Sequence, residues 1–220
     1  MLIYDTEIKN GVPGKEELIP GINYCKGWDD FKGMGVAVVA AYDYTEDAYR
    51  VFCEDNLDEF QHLVWDHLDQ GDKIVGFNSL KFDNPLVKVH GVDIPDEGSY
   101  DLQLAIHKAA RLGPEFNKRT HTGFSLDACV RTNFLGVGKI GDGAMAPVLW
   151  QQGKIGKVID YCLSDVWLTK ILLDKVVTKG GILNPKTGLF MRVVCPEVSD
   201  IWDSGIPDNP SPAPIPPGDE

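Results

Sequence analysis

The sequence contains no apolar run that approaches the roughly 20 residues of a membrane-spanning helix. It also lacks, at its start, the basic segment followed by an apolar segment that is typical of a secretory signal peptide. Its five cysteines are scattered and form no C-x-x-C pair, which argues against a disulfide framework and against a zinc site. These absences predict a soluble protein of a reducing compartment. We expect it to be cytoplasmic and to have no membrane partner.

Basic residues are in the minority, with 21 Lys and Arg against 33 Asp and Glu, and the formal net charge is −12. Their distribution is uneven, because residues 108–157 contain eight bases and three acids, whereas residues 196–220 contain six acids and no base. A local excess of bases can hold a phosphate backbone even when the whole protein is acidic. The basic stretch is therefore either a nucleic-acid surface or an ordinary solvated face.

The order of the hydrophobic patterns predicts one α/β domain with a mixed β-sheet flanked by α-helices. Apolar runs suited to strands occur three times near the start of the chain, and a polar turn before the third run makes these strands a meander. A chain of 220 residues, 43% of them hydrophobic, is long enough to bury one sizeable core. The predicted strands are residues 1–8, 35–42, 49–53 and 73–78. The predicted helices are residues 56–70, 85–90, 125–135, 146–152 and 155–178, and residues 100–110 are expected to begin as the end of a strand and continue as a helix.

A long segment, residues 9–34, separates the first two predicted strands. It is rich in Gly and Pro but contains three large aromatic residues, Tyr24, Trp28 and Phe31. Loops of this length without regular structure are commonly functional. The segment is either an insertion that covers a substrate or a surface loop whose aromatic rings pack on the core.

Two patterns occupy the C-terminal part of the chain. Residues 180–195 predict a hairpin around a turn that contains Asn, Pro and Gly. Six prolines in residues 206–220 are incompatible with a continuous helix or strand, so we expect an extended or disordered acidic tail after a domain at residues 1–205. This tail is a candidate for recruiting a protein partner.

The helix predicted at residues 56–70 contains two histidines, His62 and His67, and has Asn56 as its expected N-cap. A pair of metal ligands on one helix face favours a spacing of four residues rather than five. We therefore predict that both histidines lie on the helix surface.

Two carboxylates, Asp5 and Glu7, lie two residues apart in the first predicted strand. Side chains at i and i+2 of a strand point to the same face. Two like charges on one face of an apolar strand repel each other and lose hydration unless a cation lies between them. The pair is therefore either a half-site for a divalent metal ion or a frayed strand end in water.

Two further acidic residues lie at ends or faces of predicted elements. Asp83 follows the short strand at residues 73–78 and is close to the start of a helix. Asp165 lies inside the longest predicted helix, where Tyr161 shares its face at a spacing of four residues. A bare charge among apolar helix residues requires a partner, and a metal ion would provide one.

Together these motifs resemble those of the DEDD exonucleases of the ribonuclease H-like fold, in the branch that has tyrosine in its third motif. That family has D-x-E in motif one, N-x-x-x-F-D in motif two and Y-x-x-x-D in motif three. Residues 123–136 and 160–165 are also similar to the proofreading exonuclease domains of replicative DNA polymerases. The resemblance covers residues 1–177. The residues that match the three motifs are Asp5, Glu7, Asn78, Phe82, Asp83, Tyr161 and Asp165.

The resemblance implies a two-metal-ion site that holds Mg²⁺ or Mn²⁺. In the family pattern Asp5 bridges the two ions, Glu7 and Asp165 bind the ion on the side of the nucleophile, and Asp83 binds the second ion. Tyr161 would orient the attacking water through its hydroxyl. The residues implied to contact the terminal nucleotide are Thr6, Asn78 and Phe82. For Phe82, packing in the core is an equal alternative.

The expected activity is 3′→5′ hydrolysis of phosphodiester bonds in DNA, more readily single-stranded, with release of nucleoside 5′-monophosphates. An exoribonuclease with the same site and a non-catalytic nucleic-acid-binding module of the same fold are the alternatives. The chain departs from the family pattern in the long 9–34 segment and in having no polymerase or helicase region after the motifs. Asp101 is either a supporting acid or a residue that caps a helix or ends a strand. Oligomeric state and pathway are not predicted.

Overall fold

A computed structural model of the protein describes residues 1–14, 18–113, 115–140 and 143–195. The tail predicted at residues 206–220 lies outside the described residues, as do the last ten residues of the predicted domain. The five cysteines are all free, as expected. In the described part of the chain, none of the helices has the length and apolar character needed to cross a membrane.

The first strand lies in the centre of a five-stranded mixed sheet with the order β3-β2-β1-β4-β5. It pairs in antiparallel fashion with β2 on one side and in parallel with β4 on the other. The predicted mixed sheet is confirmed, and so is the hairpin, which forms a separate pair of short strands. The strands are β1 Leu2–Ile8, β2 Val36–Asp43, β3 Ala48–Phe52, β4 Ile74–Gly76, β5 Ser99–Asp101, β6 Gly181–Leu183 and β7 Phe190–Arg192.

Helices cover both faces of this sheet, and the longest of them packs on its two central strands, β1 and β2. Six of the eight α-helices in the described residues were predicted with ends that differ by a few residues, whereas the two four-residue helices α1 and α5 were not. Short helices bury too few residues to leave a periodic pattern. The helices are α1 Phe31–Met34, α2 Leu57–Asp69, α3 Asp83–Lys88, α4 Leu102–Ala109, α5 Lys118–His121, α6 Leu126–Asn133, α7 Ala146–Gln151 and α8 Ile155–Lys179.

Alternate residues of β1 enter two different cores, as strand geometry requires. Ile3 packs in the cluster that contains Leu168 and Leu172 of α8. Leu2 and Tyr4 pack in the other cluster, on the side of α2 and α3. The odd-numbered residues of β1 therefore face α8, and the even-numbered residues face α3. This alternation decides which acidic side chains can meet.

The prediction that His67 lies on the helix surface is wrong. Its side chain is buried, with Nδ1 2.7 Å from Asp72 Oδ2 and Nε2 3.3 Å from Asp43 Oδ1. Both partners lie outside α2, so helical periodicity within α2 could not reveal them. His62 is exposed as predicted. Asn56 occupies the N-cap position of α2, but its side chain accepts a hydrogen bond from the backbone N–H of Cys53 instead of capping the helix.

Candidate functional site

The four predicted carboxylates, from β1, α3 and α8, line one cleft with a volume of about 780 Å³. Asp5 and Glu7 reach it from the face of β1 that packs against α8, where the Cys162 thiol donates a hydrogen bond to the backbone carbonyl of Asp5 over 3.3 Å. The register of β1 against β2 shifts between Glu7 and Ile8, where the strand ends at the cleft. The same-face prediction for the two carboxylates agrees with this arrangement.

Asp83 is the first residue of α3 and is buried against β1. The hydroxyl of Thr6 donates a hydrogen bond to Asp83 Oδ1 over 2.5 Å. The next residue, Asn84, accepts a hydrogen bond from the hydroxyl of Tyr4 over 2.6 Å. Two consecutive even-numbered side chains of β1 therefore hold the start of α3, and this fixes the position of the Asp83 carboxylate relative to the strand.

The loop between β4 and α3 is held by Asp101, the last residue of β5. One carboxylate oxygen of Asp101 accepts hydrogen bonds from the backbone N–H groups of Asn78 and Leu104, each over 3.0 Å. The other accepts from the N–H of Leu80 over 3.3 Å. Asn78 has φ 70°, a left-handed conformation that asparagine tolerates better than most residues. The helix-cap interpretation of Asp101 is therefore confirmed, and the same carboxylate also shapes the loop that precedes Asp83.

Tyr161 and Asp165 lie one turn apart on α8, as predicted. Both line a small hollow together with Glu7 and Lys139. The ammonium of Lys139 forms an ion pair and hydrogen bond with Asp165 Oδ2. Sequence reasoning did not single out Lys139, because a lone lysine in a glycine-rich connection gives no signal until the fold brings it to α8.

Lys139 compensates only part of the negative charge that the four buried carboxylates would carry in the cleft. Burial raises the pKa of Asp5 well above its usual value, and the carboxylates of Asp165, Asp83 and Glu7 raise it further. Burial and the nearby Asp165 carboxylate raise the pKa of Glu7 to about 8, although Lys139 opposes the shift. Buried carboxylates with mutually raised pKa values are typical of sites that bind a cation or exchange protons.

The other two carboxylates are shifted in the same direction. Burial raises the pKa of Asp83 to about 7, against the hydrogen bond from Thr6, which lowers it. Burial also raises the pKa of Asp165, despite its pairing with Lys139. For Lys139, burial lowers the pKa but Asp165 and the carboxylates of β1 reverse that effect, and the net result is a raised pKa. Among the described residues that line the cleft, one lysine thus faces four acidic groups.

The chemistry of the donor set fits Mg²⁺ or Mn²⁺, because all four side chains supply hard carboxylate oxygens. The positions of these carboxylates, however, do not form a complete metal-binding site. Within the described ranges of the chain, no group of three or more His, Cys, Asp or Glu side chains is placed so that it could hold an ion. Asp165 is paired instead with the ammonium of Lys139. That ion pair places a positive group at a carboxylate which the family pattern assigns to a metal ion.

All three residues predicted to contact the terminal nucleotide, Thr6, Asn78 and Phe82, line the cleft. Phe82 is half-buried, and its ring makes edge contacts with the rings of Phe31 and Trp28, each with a centroid separation of 6.2 Å. The side chain therefore packs against its neighbours and also forms part of the wall of the cleft. The packing alternative is therefore observed, and contact of Phe82 with a nucleotide stays a prediction.

The segment between β1 and β2 forms one wall of the same cleft. Residues that sequence reasoning did not assign to a site lie here, among them Val12, Leu18 and Tyr24. Another wall comes from residues 143–145 and from Pro147 and Val148 at the start of α7. The alternative in which this segment covers a substrate therefore matches the shape of the cleft, and the aromatic rings also pack on their neighbours.

Comparisons with protein-family models and with curated proteins find no match to this chain. The function proposed below therefore depends on the residues of the cleft and on the motifs that they form.

Proposed function

We propose that the protein is a metal-dependent 3′→5′ exonuclease that hydrolyses phosphodiester bonds at the 3′ end of single-stranded DNA and releases nucleoside 5′-monophosphates. The observation that carries the proposal is the meeting of Asp5, Glu7, Asp83 and Asp165 in one cleft, from three separate elements. The central position of β1, between an antiparallel meander and parallel strands, supports the ribonuclease H-like fold that the motifs imply.

The four carboxylates would hold two Mg²⁺ or Mn²⁺ ions, which supply activation of water and stabilisation of the leaving 3′ oxygen. The chain's own groups do the positioning. Thr6 holds the Asp83 carboxylate by its hydroxyl. Tyr161 lies in the same hollow as Glu7 and Asp165 and would orient the attacking water by hydrogen bonding.

Two residues of motif two would position the nucleotide. Asn78 and Phe82 line the cleft on either side of the turn that leads to Asp83. The left-handed backbone of Asn78, held by Asp101, presents this turn to the cleft. Burial of the acidic groups lowers the local dielectric constant, which strengthens their interaction with cations and phosphoryl charge.

The test is the shortening of a 5′-labelled single-stranded DNA oligonucleotide with Mg²⁺ or Mn²⁺, resolved by gel electrophoresis. We expect a ladder of products shortened from the 3′ end, and its loss in Asp165→Ala. Asp174→Asn is the matched control, since Asp174 is a buried acid of the same helix whose partners are Tyr44 and Lys170. Circular dichroism checks that both variants are folded. Unchanged cleavage by Asp165→Ala would contradict the proposal.

A matched RNA oligonucleotide in the same assay decides between the two nucleic acids. Preferential shortening of RNA would assign the same site to an exoribonuclease.

The ion pair of Lys139 with Asp165 favours a second candidate function, a nucleic-acid-binding module that does not hydrolyse its ligand. In such a module an ammonium group replaces the metal ion at one carboxylate. Such a module would bind the labelled oligonucleotide without shortening it, whether Mg²⁺ or Mn²⁺ is present. The Lys139→Ala variant would not cleave the oligonucleotide either. Cleavage by the unmodified protein excludes this candidate.

A further inference from the structure

The wall formed by the segment between β1 and β2 is more apolar than a phosphate-binding surface would be. We define the arm as residues 9–14 and 18–34. Four of the 13 large hydrophobic side chains that are exposed in the described residues line the cleft, and three of these four belong to the arm. They are Leu18, Ile19, Trp28 and Met145. Clusters of exposed apolar side chains in a concave site mark ligand-binding surfaces.

Lysine and arginine side chains are scarce among the described residues that line the cleft. Among the described residues that line the cleft, Lys139 is the only Lys or Arg, and its ammonium is paired with Asp165. Binding through phosphates needs several free cationic groups. The described walls of this cleft therefore offer apolar and aromatic surface to a ligand in preference to positive charge.

Trp28 is the most exposed aromatic side chain of the arm, with 67% of its surface accessible. Its ring contacts the edge of Phe82, which immediately precedes the acidic residue Asp83. The indole therefore presents accessible surface in the same cleft as the carboxylates. Base stacking on an exposed aromatic ring is the usual way in which proteins hold unpaired nucleotides.

The arm that bears Trp28 is anchored at several points. The side chain of Gln151, at the end of α7, accepts a hydrogen bond from Asn23 N over 2.7 Å and donates to the carbonyl of Lys9 over 2.9 Å. Within the arm, the backbone N–H of Gly11 donates to the carbonyl of Asn23 over 3.0 Å, and the N–H of Cys25 donates to the carbonyl of Gly11 over 2.9 Å. An aromatic group on an anchored arm loses little conformational freedom when a base stacks on it.

We propose that the arm binds the unpaired 3′-terminal nucleotides through their bases, with Trp28 as the stacking side chain that selects single-stranded over base-paired ends. This inference rests on the proposed exonuclease function and names the substrate class of the same site. The cleft, at about 780 Å³, has the size of a small-molecule pocket. A base that stacks inside it must first leave its partner.

Two consequences separate this mode from binding through phosphates. Affinity should depend on the presence of bases at the 3′ end, because the sugar–phosphate backbone alone has no stacking face. Affinity should also depend weakly on salt. Each phosphate contact to a single strand weakens binding by about threefold between 50 and 200 mM salt, and we expect no more than one such contact here.

The experiment measures fluorescence anisotropy of a 5′-labelled DNA strand in EDTA, so that binding is read without cleavage. A second strand of equal length has abasic residues at its last two 3′ positions. The unmodified protein should bind the normal strand about tenfold more tightly. Trp28→Ala should lose that preference and Trp28→Phe should retain part of it. Trp65→Ala is the matched control, since Trp65 is half exposed on α2 and does not line the cleft.

The same proteins are then assayed for cleavage of single-stranded and blunt duplex DNA with Mn²⁺. Trp28→Ala should narrow the preference for single strands while Trp65→Ala keeps it. If the unmodified protein cleaves DNA but Trp28→Ala keeps both preferences, the inference is wrong and the exonuclease proposal stands. If base-dependent binding through Trp28 is found without cleavage, the inference stands and the exonuclease proposal fails. Equal affinity of the unmodified protein for both strands, or no binding, overturns the inference.

Discussion

The ammonium of Lys139 pairs with the carboxylate of Asp165, 26 residues further along the chain, inside the cleft that also contains Asp5 and Glu7. The pair is partly buried, with 32% of the lysine side chain and 14% of the aspartate side chain accessible. It is therefore screened less than a surface ion pair. A metal ion at Asp165 would compete with this ammonium for the same oxygen atoms.

Lys139→Met should destabilise the metal-free protein at about pH 8 by about 2 kcal/mol, between the values for surface and buried pairs. The reason is that Asp165 would keep its buried charge without a partner. We expect the loss to shrink at low pH, where the carboxylate is protonated, and in saturating Mg²⁺. Urea denaturation under the three conditions measures it. An equal loss in all three would assign Lys139 a packing role only.

The raised pKa values of the cleft predict how stability depends on pH in the absence of metal. Glu7 has a pKa of about 8 and Asp83 a pKa of about 7 in the folded protein, both above their values in an unfolded chain. The folded state therefore binds more protons between about pH 4 and pH 8, and its stability falls as the pH rises through this range. Each unit of pKa shift corresponds to about 1.4 kcal/mol.

Urea denaturation in EDTA at about pH 5 and about pH 8 tests this expectation. Glu7→Gln removes one titrating group, so its stability should change less between the two pH values. Addition of Mg²⁺ or Mn²⁺ should restore stability mainly at the higher pH, where the carboxylates are ionised. If the metal-free protein becomes more stable toward pH 8, burial does not raise the pKa values of the acidic groups in the cleft.

Thr6→Val should move the acid limb of the pH–activity profile to higher pH. The hydroxyl of Thr6 bonds Asp83 and lowers its pKa, which burial otherwise raises. Its loss should raise the pKa of Asp83 by about one unit or less, the equivalent of one hydrogen bond. Because a metal ligand must be ionised, more alkaline conditions are then needed for full activity. Thr6→Ser keeps the hydroxyl and should restore the profile. An unshifted limb in Thr6→Val would mean that Asp83 does not control it.

The parts of the fold that the sequence predicted well are those with a long local pattern. β1, β2 and α8 each have continuous or periodic apolar residues, and burial of those residues on the sheet produces the pattern. The acidic motifs could be placed for the same reason, since Asp5 and Glu7 alternate with buried residues of β1. Their presence in one cleft followed from the family resemblance, not from the local pattern.

The parts that could not be predicted depend on contacts that an element makes with residues outside it. Lys139 meets Asp165 only after the connection before α7 folds back on α8. His67 is buried because Asp43 and Asp72 approach it from outside its helix. The anchoring of the arm by Gln151 is a contact across 128 residues. No spacing rule within one element contains such information.

Asp101→Ala should reduce both stability and activity, because Asp101 accepts hydrogen bonds from the N–H groups of Asn78, Leu80 and Leu104. Loss of a helix cap and of the loop contacts should destabilise the protein by about 1–3 kcal/mol. Ser125→Ala is the matched control, since it removes the cap of α6 without touching the cleft. We expect both variants to lower the midpoint of urea denaturation, but only Asp101→Ala to lower kcat at a temperature where both are fully folded. Equal activity of the two variants would show that the contacts of Asp101 with the loop before Asp83 do not affect catalysis.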